Sequence, residues 1–263
     1  YNGQGIAIGY KAESNLFGTS LGNSAVAKLG GLALGTFAKA EGATATAIGL
    51  GANSSGARGI SMGRQASATT ADSVAIGTGA RGGATSAGGS VAVGGGAAAT
   101  GTQAIAIGGL YGNDLYSSSA TKDGAGNLTK NTQASGEASI AMGVNAVATV
   151  KQALAMGSDA QAKEEASIAM GVNTKATGKK ALAMGSDAQA KEEASIAMGV
   201  NAVSENGIAI GKDSTSGKDA SVSVGLGANS NAGGIAVGKN AKSKSTTSIG
   251  IGEGAIANAN SVV

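Results

Sequence analysis

The sequence predicts an all-β fold, a parallel β-solenoid of about 17 short coils, and three observations support this prediction. A large apolar residue, a small one and a second large apolar one precede a glycine, and this pattern occurs 17 times, about every 14 residues. Short tandem repeats of this kind form stacked units that contact only their neighbours. Apolar residues make up 42% of the chain and are placed periodically, which argues against disorder. Proline is absent, as expected where each coil donates its amides to the next one.

The residues that end at the closing glycine predict the first strand of each coil. We number the repeat from this glycine, which is position zero, so that positions −3 and −1 are the large apolar ones, as in Ile6 and Ile8. Alternation with a period of two predicts a strand, and four residues are too few for an amphipathic helix. We expect the side chains at −3 and −1 to face the interior of the coil. The closing glycines are Gly9, Gly22, Gly35, Gly49, Gly63, Gly77, Gly94, Gly108, Gly143, Gly157, Gly171, Gly185, Gly199, Gly211, Gly225, Gly238 and Gly252.

Small residues at positions +3 and +5 predict a second, shorter strand. Ala66 and Ala68 are one such pair, and we expect these side chains to face the large ones of the first strand across a thin interior. Between the two strands the sequence often has a Gly-x-Asn or Gly-x-Asp turn, as in residues 143–145. Glycine tolerates a positive φ there, and Asn or Asp can bond its own backbone.

Alanine at position −2 predicts contact between chains. If positions −3 and −1 face inward, position −2 faces outward, where a lone solenoid would carry polar residues. A stripe of alanine lets another backbone approach closely, and so thin a coil buries little apolar surface unless it associates. We therefore expect a parallel homo-oligomer with an interface formed by Ala7, Ala33, Ala47, Ala75, Ala106, Ala141, Ala155, Ala169, Ala183, Ala197 and Ala209.

A longer repeat within residues 157–201 supports the stacking. The segments 157–173 and 185–201 are identical, so the local period is 28 residues. If coils stack in register, the residues at position −6 alternate in sign along one edge, which avoids a ladder of like charges. These residues are Glu137, Lys151, Glu165, Lys179 and Glu193.

Composition and residue placement argue against an enzyme. The chain has no histidine and no cysteine, and its 16 acidic residues are dispersed over the repeats. It lacks the calcium-binding nonapeptide of other β-rolls, and no Lys-Ser/Thr follows its glycine-rich turns as in a phosphate loop. A formal charge of +3 with intermingled signs does not suggest nucleic acid. We predict no catalytic, metal-binding or cofactor-binding residue, and no contact of this segment with nucleic acid or a membrane.

An insert at about residues 109–136 interrupts the repeats. It contains two of the six aromatic residues of the chain, together with Ser, Asn and Gly, a composition suited to protein recognition. A turn signal at 122–127 predicts a protruding hairpin. The residues that we expect to bind a ligand are Tyr111, Asn113, Tyr116, Lys122, Asp123, Asn127 and Lys130. The alternative is that the insert covers a joint between coils or reaches over a neighbouring subunit.

The motifs at 14-residue spacing resemble those of a known family. The runs SVAIG (73–77), AIAIG (104–108) and SIAMG (167–171) are similar to the head domains of YadA-like trimeric autotransporter adhesins, of the YadA and UspA type. This resemblance covers essentially the whole chain. It implies a left-handed parallel β-roll, three chains side by side as a parallel homotrimer, and display outside the bacterial outer membrane.

The resemblance also implies partners and missing parts. Such heads attach to host extracellular matrix, for example collagen, fibronectin or laminin, or to host-cell receptors. We expect residues 1–263 to form a single head domain, and a head fragment, because no neck, coiled-coil stalk or membrane anchor follows the repeats. The final residues, 258–263, begin another repeat without reaching its glycine.

Two functions are compatible with these expectations. The first is a non-enzymatic adhesin head that binds host matrix or receptors through many repeated contacts. The second is a structural fibre or spacer segment without a ligand of its own. An ice-binding surface would need a regular array of threonine, whereas threonine is scattered here.

Overall fold

The fold was analysed in a computed structural model that describes residues 4–83, 88–109, 131–231, 233–259 and 261–263. These residues contain 34 short strands and no helix. The chain divides into two compact units, Tyr1–Asn145 and Ala146–Val263, each of which we describe by itself. The single domain over residues 1–263 therefore stays a prediction.

The first unit alternates strands of three residues, which end just before a closing glycine, with strands of two. The strands are β1 (Ile6–Ile8), β2 (Glu13–Ser14), β3 (Thr19–Leu21), β4 (Val26–Ala27), β5 (Leu32–Leu34), β6 (Lys39–Ala40), β7 (Thr46–Ile48), β8 (Asn53–Ser54), β9 (Ile60–Met62), β10 (Ser67–Ala68), β11 (Val74–Ile76), β12 (Arg81–Gly82), β13 (Val91–Val93), β14 (Ala98–Ala99), β15 (Ile105–Ile107), β16 (Gln133–Ala134) and β17 (Ile140–Met142).

The second unit continues the same alternation, with two four-residue strands among the longer ones. The strands are β18 (Val147–Ala148), β19 (Leu154–Met156), β20 (Gln161–Ala162), β21 (Ile168–Met170), β22 (Lys175–Ala176), β23 (Leu182–Met184), β24 (Gln189–Ala190), β25 (Ile196–Met198), β26 (Val203–Ser204), β27 (Gly207–Ile210), β28 (Thr215–Ser216), β29 (Ser221–Val224), β30 (Asn229–Ser230), β31 (Ile235–Val237), β32 (Lys242–Ser243), β33 (Ile249–Ile251) and β34 (Ile256–Ala257).

Within each unit, every coil pairs with the next one in parallel and in register. Odd-numbered strands pair only with odd-numbered ones, so that Ala75 stands opposite Ala92 and Ala92 opposite Ala106. Even-numbered strands form the second sheet in the same way, with Ala162 opposite Ala176. The predicted all-β parallel solenoid, with one long and one short strand in each coil, is confirmed.

The predicted direction of the first-strand side chains is wrong. The alanines at position −2 point into the coil, and of those proposed as an interface all but Ala7 have no exposed surface. Ala7 lies in β1, where no described coil covers it. The ten buried alanines cannot contact another chain, because each already packs inside its own. The fully buried members of the predicted interface are Ala33, Ala47, Ala75, Ala106, Ala141, Ala155, Ala169, Ala183, Ala197 and Ala209.

The interior is too narrow for large side chains. Each coil directs four residues inward, at positions −4, −2, +3 and +5, and in the coil of Gly185 all four are alanine. Among the described residues, the largest fully buried side chains are Thr132 and Thr174. The inward direction of positions +3 and +5 was predicted correctly. The large residues at −3 and −1 point outward. Side chains alternate along a strand, and the small residue at −2 between them points inward.

Backbone hydrogen bonds continue through the turns. The amide of Gly185 donates to the carbonyl of Met170 at 2.8 Å, and in the other turn the amide of Lys180 donates to Glu165 at 2.9 Å. The amides of the turns therefore bind the neighbouring coil as those of the strands do. A proline would remove one of these donors, which accounts for its absence.

The closing glycine is required by conformation and by space. Gly171 has a φ of 135°, and a Cβ built there would lie 2.6 Å from the carbonyl oxygen of Gly185. Residues at position +2, such as Asn173 and Asp187, adopt the left-handed conformation with φ of 53° and 59°. The predicted Gly-x-Asn and Gly-x-Asp turns are confirmed.

The insert is shorter than predicted. Residues 131–136 belong to the solenoid, because Gln133 and Ala134 pair in register with Ala98 and Ala99. Gly108, Gly109, Asn131 and Thr132 supply positions zero to +3 of an ordinary turn, so the inserted sequence is 110–130. Thr132 Oγ1 donates to the Gly143 carbonyl at 2.6 Å, as Thr174 Oγ1 does to Gly185.

The two effects at the closing glycine are separable. Gly171→Ala should lose stability through both the backbone strain and the clash, whereas Gly252→Ala has a similar φ of 128° but meets no atom within 4 Å. Strain of this kind is of order 1–3 kcal/mol, and overpacking adds about 1–3 kcal/mol. We expect urea unfolding to show the larger loss for Gly171→Ala. Equal losses would mean that close stacking of the glycines is unimportant.

Candidate functional site

The first strands present an apolar surface. We call the side chains at positions −3 and −1 of the odd-numbered strands the apolar face. They are half-buried or exposed in the single chain, and Leu32, Met62 and Ile107 expose 38%, 40% and 39% of their surface. These residues were predicted, wrongly, to face the interior of the coil. A row of large aliphatic side chains on a surface indicates an interaction site.

The opposite side of each coil is more polar. Position +4 faces outward from the second strand and is polar in most coils, as in Lys39, Gln161, Lys175 and Gln189. The exceptions among the described strands are Val26, Ala98, Val147, Val203 and Ile256. The coil therefore has a polar side suited to water and an apolar side that is not.

Asn and Asp alternate at position +2 from Asp159 to Asp213, in the turn between the two strands of each coil. Asn173 Nδ2 donates to Asp187 Oδ1 at 2.6 Å, and Asn201 Nδ2 donates to Asp213 Oδ1 at 2.9 Å. The hydrogen bond from Asn173, together with one from Ser186, lowers the pKa of Asp187 below its usual value. Asp187 and Asp213 thus each accept a hydrogen bond from a side-chain amide of the neighbouring coil.

Opposite charges meet along the other turn, which leads from the second strand of one coil to the first strand of the next. Lys179 Nζ lies 2.8 Å from Glu165 Oε2, which confirms the predicted alternation at position −6 for this pair. This hydrogen bond lowers the pKa of Glu165 and raises that of Lys179. In the first unit, Arg58 binds both carboxylate oxygens of Asp72 at 2.6 and 2.7 Å and lowers the pKa of that group. Exposed pairs of this kind add little to stability.

The residues predicted to bind a ligand lie outside the described part of the chain. Tyr111, Asn113, Tyr116, Lys122, Asp123, Asn127 and Lys130 all fall within 110–130. Next to them, Asn131 is 5% exposed and its Nδ2 donates to the carbonyl of Gly96 at 2.7 Å. Gln133 Nε2 in turn donates to Asn131 Oδ1 at 2.6 Å. Asn131, the first residue after the inserted sequence, is thus fixed to the coil.

The described ranges show no other centre of chemistry. Within them, no three His, Cys, Asp or Glu residues come close enough together to hold a metal ion. Nor do they include a helix that is long and apolar enough to cross a membrane. The apolar face is therefore the candidate site on which the functional argument depends.

The 28-residue repeat can be tested by two deletions. Removing 157–184 keeps opposite charges adjacent at position −6, because Glu193 then follows Lys151 in the next coil. Removing 171–184 instead brings Glu165 next to Glu193 at position −6 and Asp159 next to Asp187 at position +2. We expect the variant with the shorter deletion to unfold at a temperature a few degrees lower, although it loses fewer coils. High salt should reduce this difference in unfolding temperature, because it screens the repulsion between like charges. If the shorter deletion is the more stable one, the alternation of charge has no role.

The hydrogen bonds between Asn and Asp at position +2 predict that stability depends on pH. A carboxylate with a depressed pKa stabilises the fold at neutral pH, and this contribution is lost as the pH falls through that pKa. In Asn173→Ala the pKa of Asp187 should rise towards its usual value, so that its titration by NMR begins at higher pH. The titration of Asp72 is the control and should not move. An unchanged Asp187 would contradict the assigned hydrogen bond.

The comparison with protein families agrees with this architecture. A model described as the YadA head domain repeat (two copies) matches residues 27–52, 54–80, 86–110, 134–160, 151–174, 162–188 and 176–202. Together these segments cover more than half of the 263 residues. No curated protein matches the chain. The resemblance predicted from the repeat motifs is confirmed, and the chain belongs to the YadA head family of adhesin-type, cell-surface proteins.

Proposed function

We propose that the chain is the non-enzymatic head of a bacterial adhesin and that three copies assemble in parallel through their apolar faces. The head is displayed on the extracellular side of the outer membrane as a left-handed β-roll. It binds host extracellular-matrix proteins such as collagen, fibronectin or laminin, or host-cell receptors. The family membership of the chain supports this proposal.

The observation that carries the proposal is the apolar face. Position −3 holds Leu154, Ile168, Leu182 and Ile196 in successive coils, and position −1 holds a large apolar residue in every coil of both units. The coil interior contains mainly Ala and Ser and buries little apolar surface for each residue. Association would cover the apolar face and supply the burial that the interior lacks.

Repetition gives such a head many equivalent contact points for one large ligand. The identical segments 157–173 and 185–201 present the same turn residues twice in each chain, and three chains multiply them again. Several weak contacts to one large ligand give a high overall avidity. The same identity favours a second candidate, a spacer whose coils extend a fibre without binding a ligand.

Light scattering tests the assembly. We expect a mass three times 24.7 kDa. The double variant Leu154→Ser, Leu182→Ser should shift the mass towards the single chain at micromolar concentration. The control Gln161→Ser, Gln189→Ser changes the polar side of the same two coils and should stay associated. A wild-type chain that is monomeric at every concentration would contradict the proposed trimer.

Binding to immobilised collagen, fibronectin and laminin tests the adhesive function. A deletion of residues 110–130 joins Gly109 to Asn131 and restores the 14-residue repeat, so this variant should keep its β-sheet spectrum and its number of associated chains. Loss of binding in the deletion variant would assign the ligand site to the insert. Retained binding would assign it to the coils. No binding of the wild type to matrix proteins or to host cells would favour the spacer.

A further inference from the structure

The first coils of the first unit carry aromatic side chains in their turns. Within the described ranges, the aromatic residues of the chain are Tyr10, Phe17 and Phe37. All three are exposed, with 70%, 73% and 55% of their surface open to solvent. Side chains this exposed neither fill the interior nor cover the end of their own coil. Packing within the chain therefore does not account for them.

The turn that contains Phe17 has a backbone that disfavours its own residues. The amide of Gly18 donates to the carbonyl of Asn15 at 3.1 Å, and the central residues Leu16 and Phe17 have φ of 47° and 66°. Two positive φ values are typical of a type I′ turn, for which Asn-Gly is the usual central pair. In the next coil, Gly30 with φ of 74° occupies the position of Phe17. A bulky residue there is strained, and its exposure means that its own chain offers little in return.

Phe37 differs from its equivalents in the same way. It occupies position +2 with φ of 58°, where other coils have Gly51, Asn145 or Asp187. Glycine, asparagine and aspartate tolerate this left-handed conformation better than a phenylalanine does. Strained residues of this kind are concentrated where a protein binds something. Two strained and exposed phenylalanines in neighbouring coils therefore point to a contact outside the chain.

The unusual turn residues lie at both edges of the apolar face. We call Leu16, Phe17 and Leu29, in the turns that lead into a first strand, the entry patch. We call Tyr10 and Phe37, in the turns that follow a first strand, the exit patch. Leu16 and Leu29 both occupy position −6 and expose 43% and 47% of their surface. The first strands run from one patch to the other, so both patches are continuous with the apolar face.

The two patches lie at the same level of the unit. Phe17 leads into β3, which pairs with β1 on one side and with β5 on the other. Tyr10 follows β1 and Phe37 follows β5, so each lies one coil away from Phe17 along the stack, a rise of about 4.8 Å. In a ring of parallel copies, the entry edge of one copy meets the exit edge of the next. The two patches would then meet at matching heights.

We propose that the entry patch packs against the exit patch of the neighbouring copy and joins the chains of the head into a closed ring at these coils. The occupant is a second copy of the chain, because both patches extend the apolar face that the proposed homotrimer buries. A contact between two different patches closes on itself when it is repeated around a three-fold axis. The strain in each chain is offset by aromatic burial that exists only in the assembly. This inference rests on the proposed homotrimer.

A variant of the turn separates the strain from the contact. Leu16→Asn, Phe17→Gly introduces the usual type I′ pair and removes most of the entry patch. Below the concentration of association, we expect its single chains to unfold at a higher urea concentration than wild-type chains. The chain concentration at half-dissociation, measured by light scattering, should nevertheless rise at least about tenfold, which corresponds to about 1.4 kcal/mol. Phe37→Asn should also raise it.

Val172→Asn is the matched control for these variants. Val172 is 55% exposed in a turn that follows a first strand of the second unit, where the entry turns carry charged residues such as Glu165 and Lys179. It has no apolar patch to meet on a neighbouring copy. We therefore expect the concentration at half-dissociation to remain that of the wild type.

Cross-linking tests the contact itself. The native chain has no cysteine, so the double variant Phe17→Cys, Phe37→Cys carries one thiol on each edge. A short bismaleimide should join three chains covalently, as seen on a denaturing gel. Each of the two single variants should give only unlinked chains, because like edges do not meet in a ring.

Three results would overturn the inference. A turn variant that dissociates at the wild-type concentration would show that the entry patch does not hold the copies together. Double-cysteine chains that associate but link only within themselves would place the two patches apart. A turn variant that stays associated but no longer binds immobilised matrix proteins would assign the patch to a host ligand. A wild type that is monomeric at every concentration contradicts the proposed trimer itself, and the inference fails with it.

Discussion

The narrow interior of each coil is the constraint on which the other features of the structure depend. Four small side chains fill it, and nothing larger than threonine is fully buried among the described residues. The two strands of a coil therefore lie close together, and a large side chain on the first strand has room only outside. Because little apolar surface is buried inside, the regular hydrogen bonds between coils hold each unit together, and its large apolar residues stay available for contact with another surface.

The same constraint shapes the turns. Coils that repeat in register bring equivalent glycines into contact, so that a Cβ at Gly35 would lie 2.7 Å from the carbonyl oxygen of Gly49. Side chains at the turns also meet their equivalents in the next coil, which makes like charges unfavourable and alternation favourable. The pair Glu165–Lys179 and the pair Asn173–Asp187 are two solutions to this condition. An insertion such as 110–130 is tolerated at a turn, because strands on both sides keep their register.

Much of the fold was predictable, since the repeat determines the strands, their order and the turns. The direction of the first strand was not, because alternation reveals two faces without saying which one is inside. We assumed that large residues face inward, as in most cores. The sequence contained a contrary signal: in the coil of Gly185, positions −4, −2, +3 and +5 are all alanine. With small residues at four positions and large ones at two, a coil can close only if the four small side chains share its interior. Comparing Gly108-Gly109 and Asn131-Thr132 with residues 171–174 would likewise have located the insert.

If small residues build the coil and large ones serve the proposed association, two neighbouring substitutions should have different consequences. The measurement is the thermal midpoint of Ala183→Leu and Leu182→Ala over a range of chain concentrations. Ala183→Leu should have a lower midpoint at every concentration, because the coil cannot accommodate the larger side chain. Leu182→Ala should lower the midpoint in a concentration-dependent way. A tolerated Ala183→Leu, with a large and concentration-independent loss for Leu182→Ala, would contradict the account.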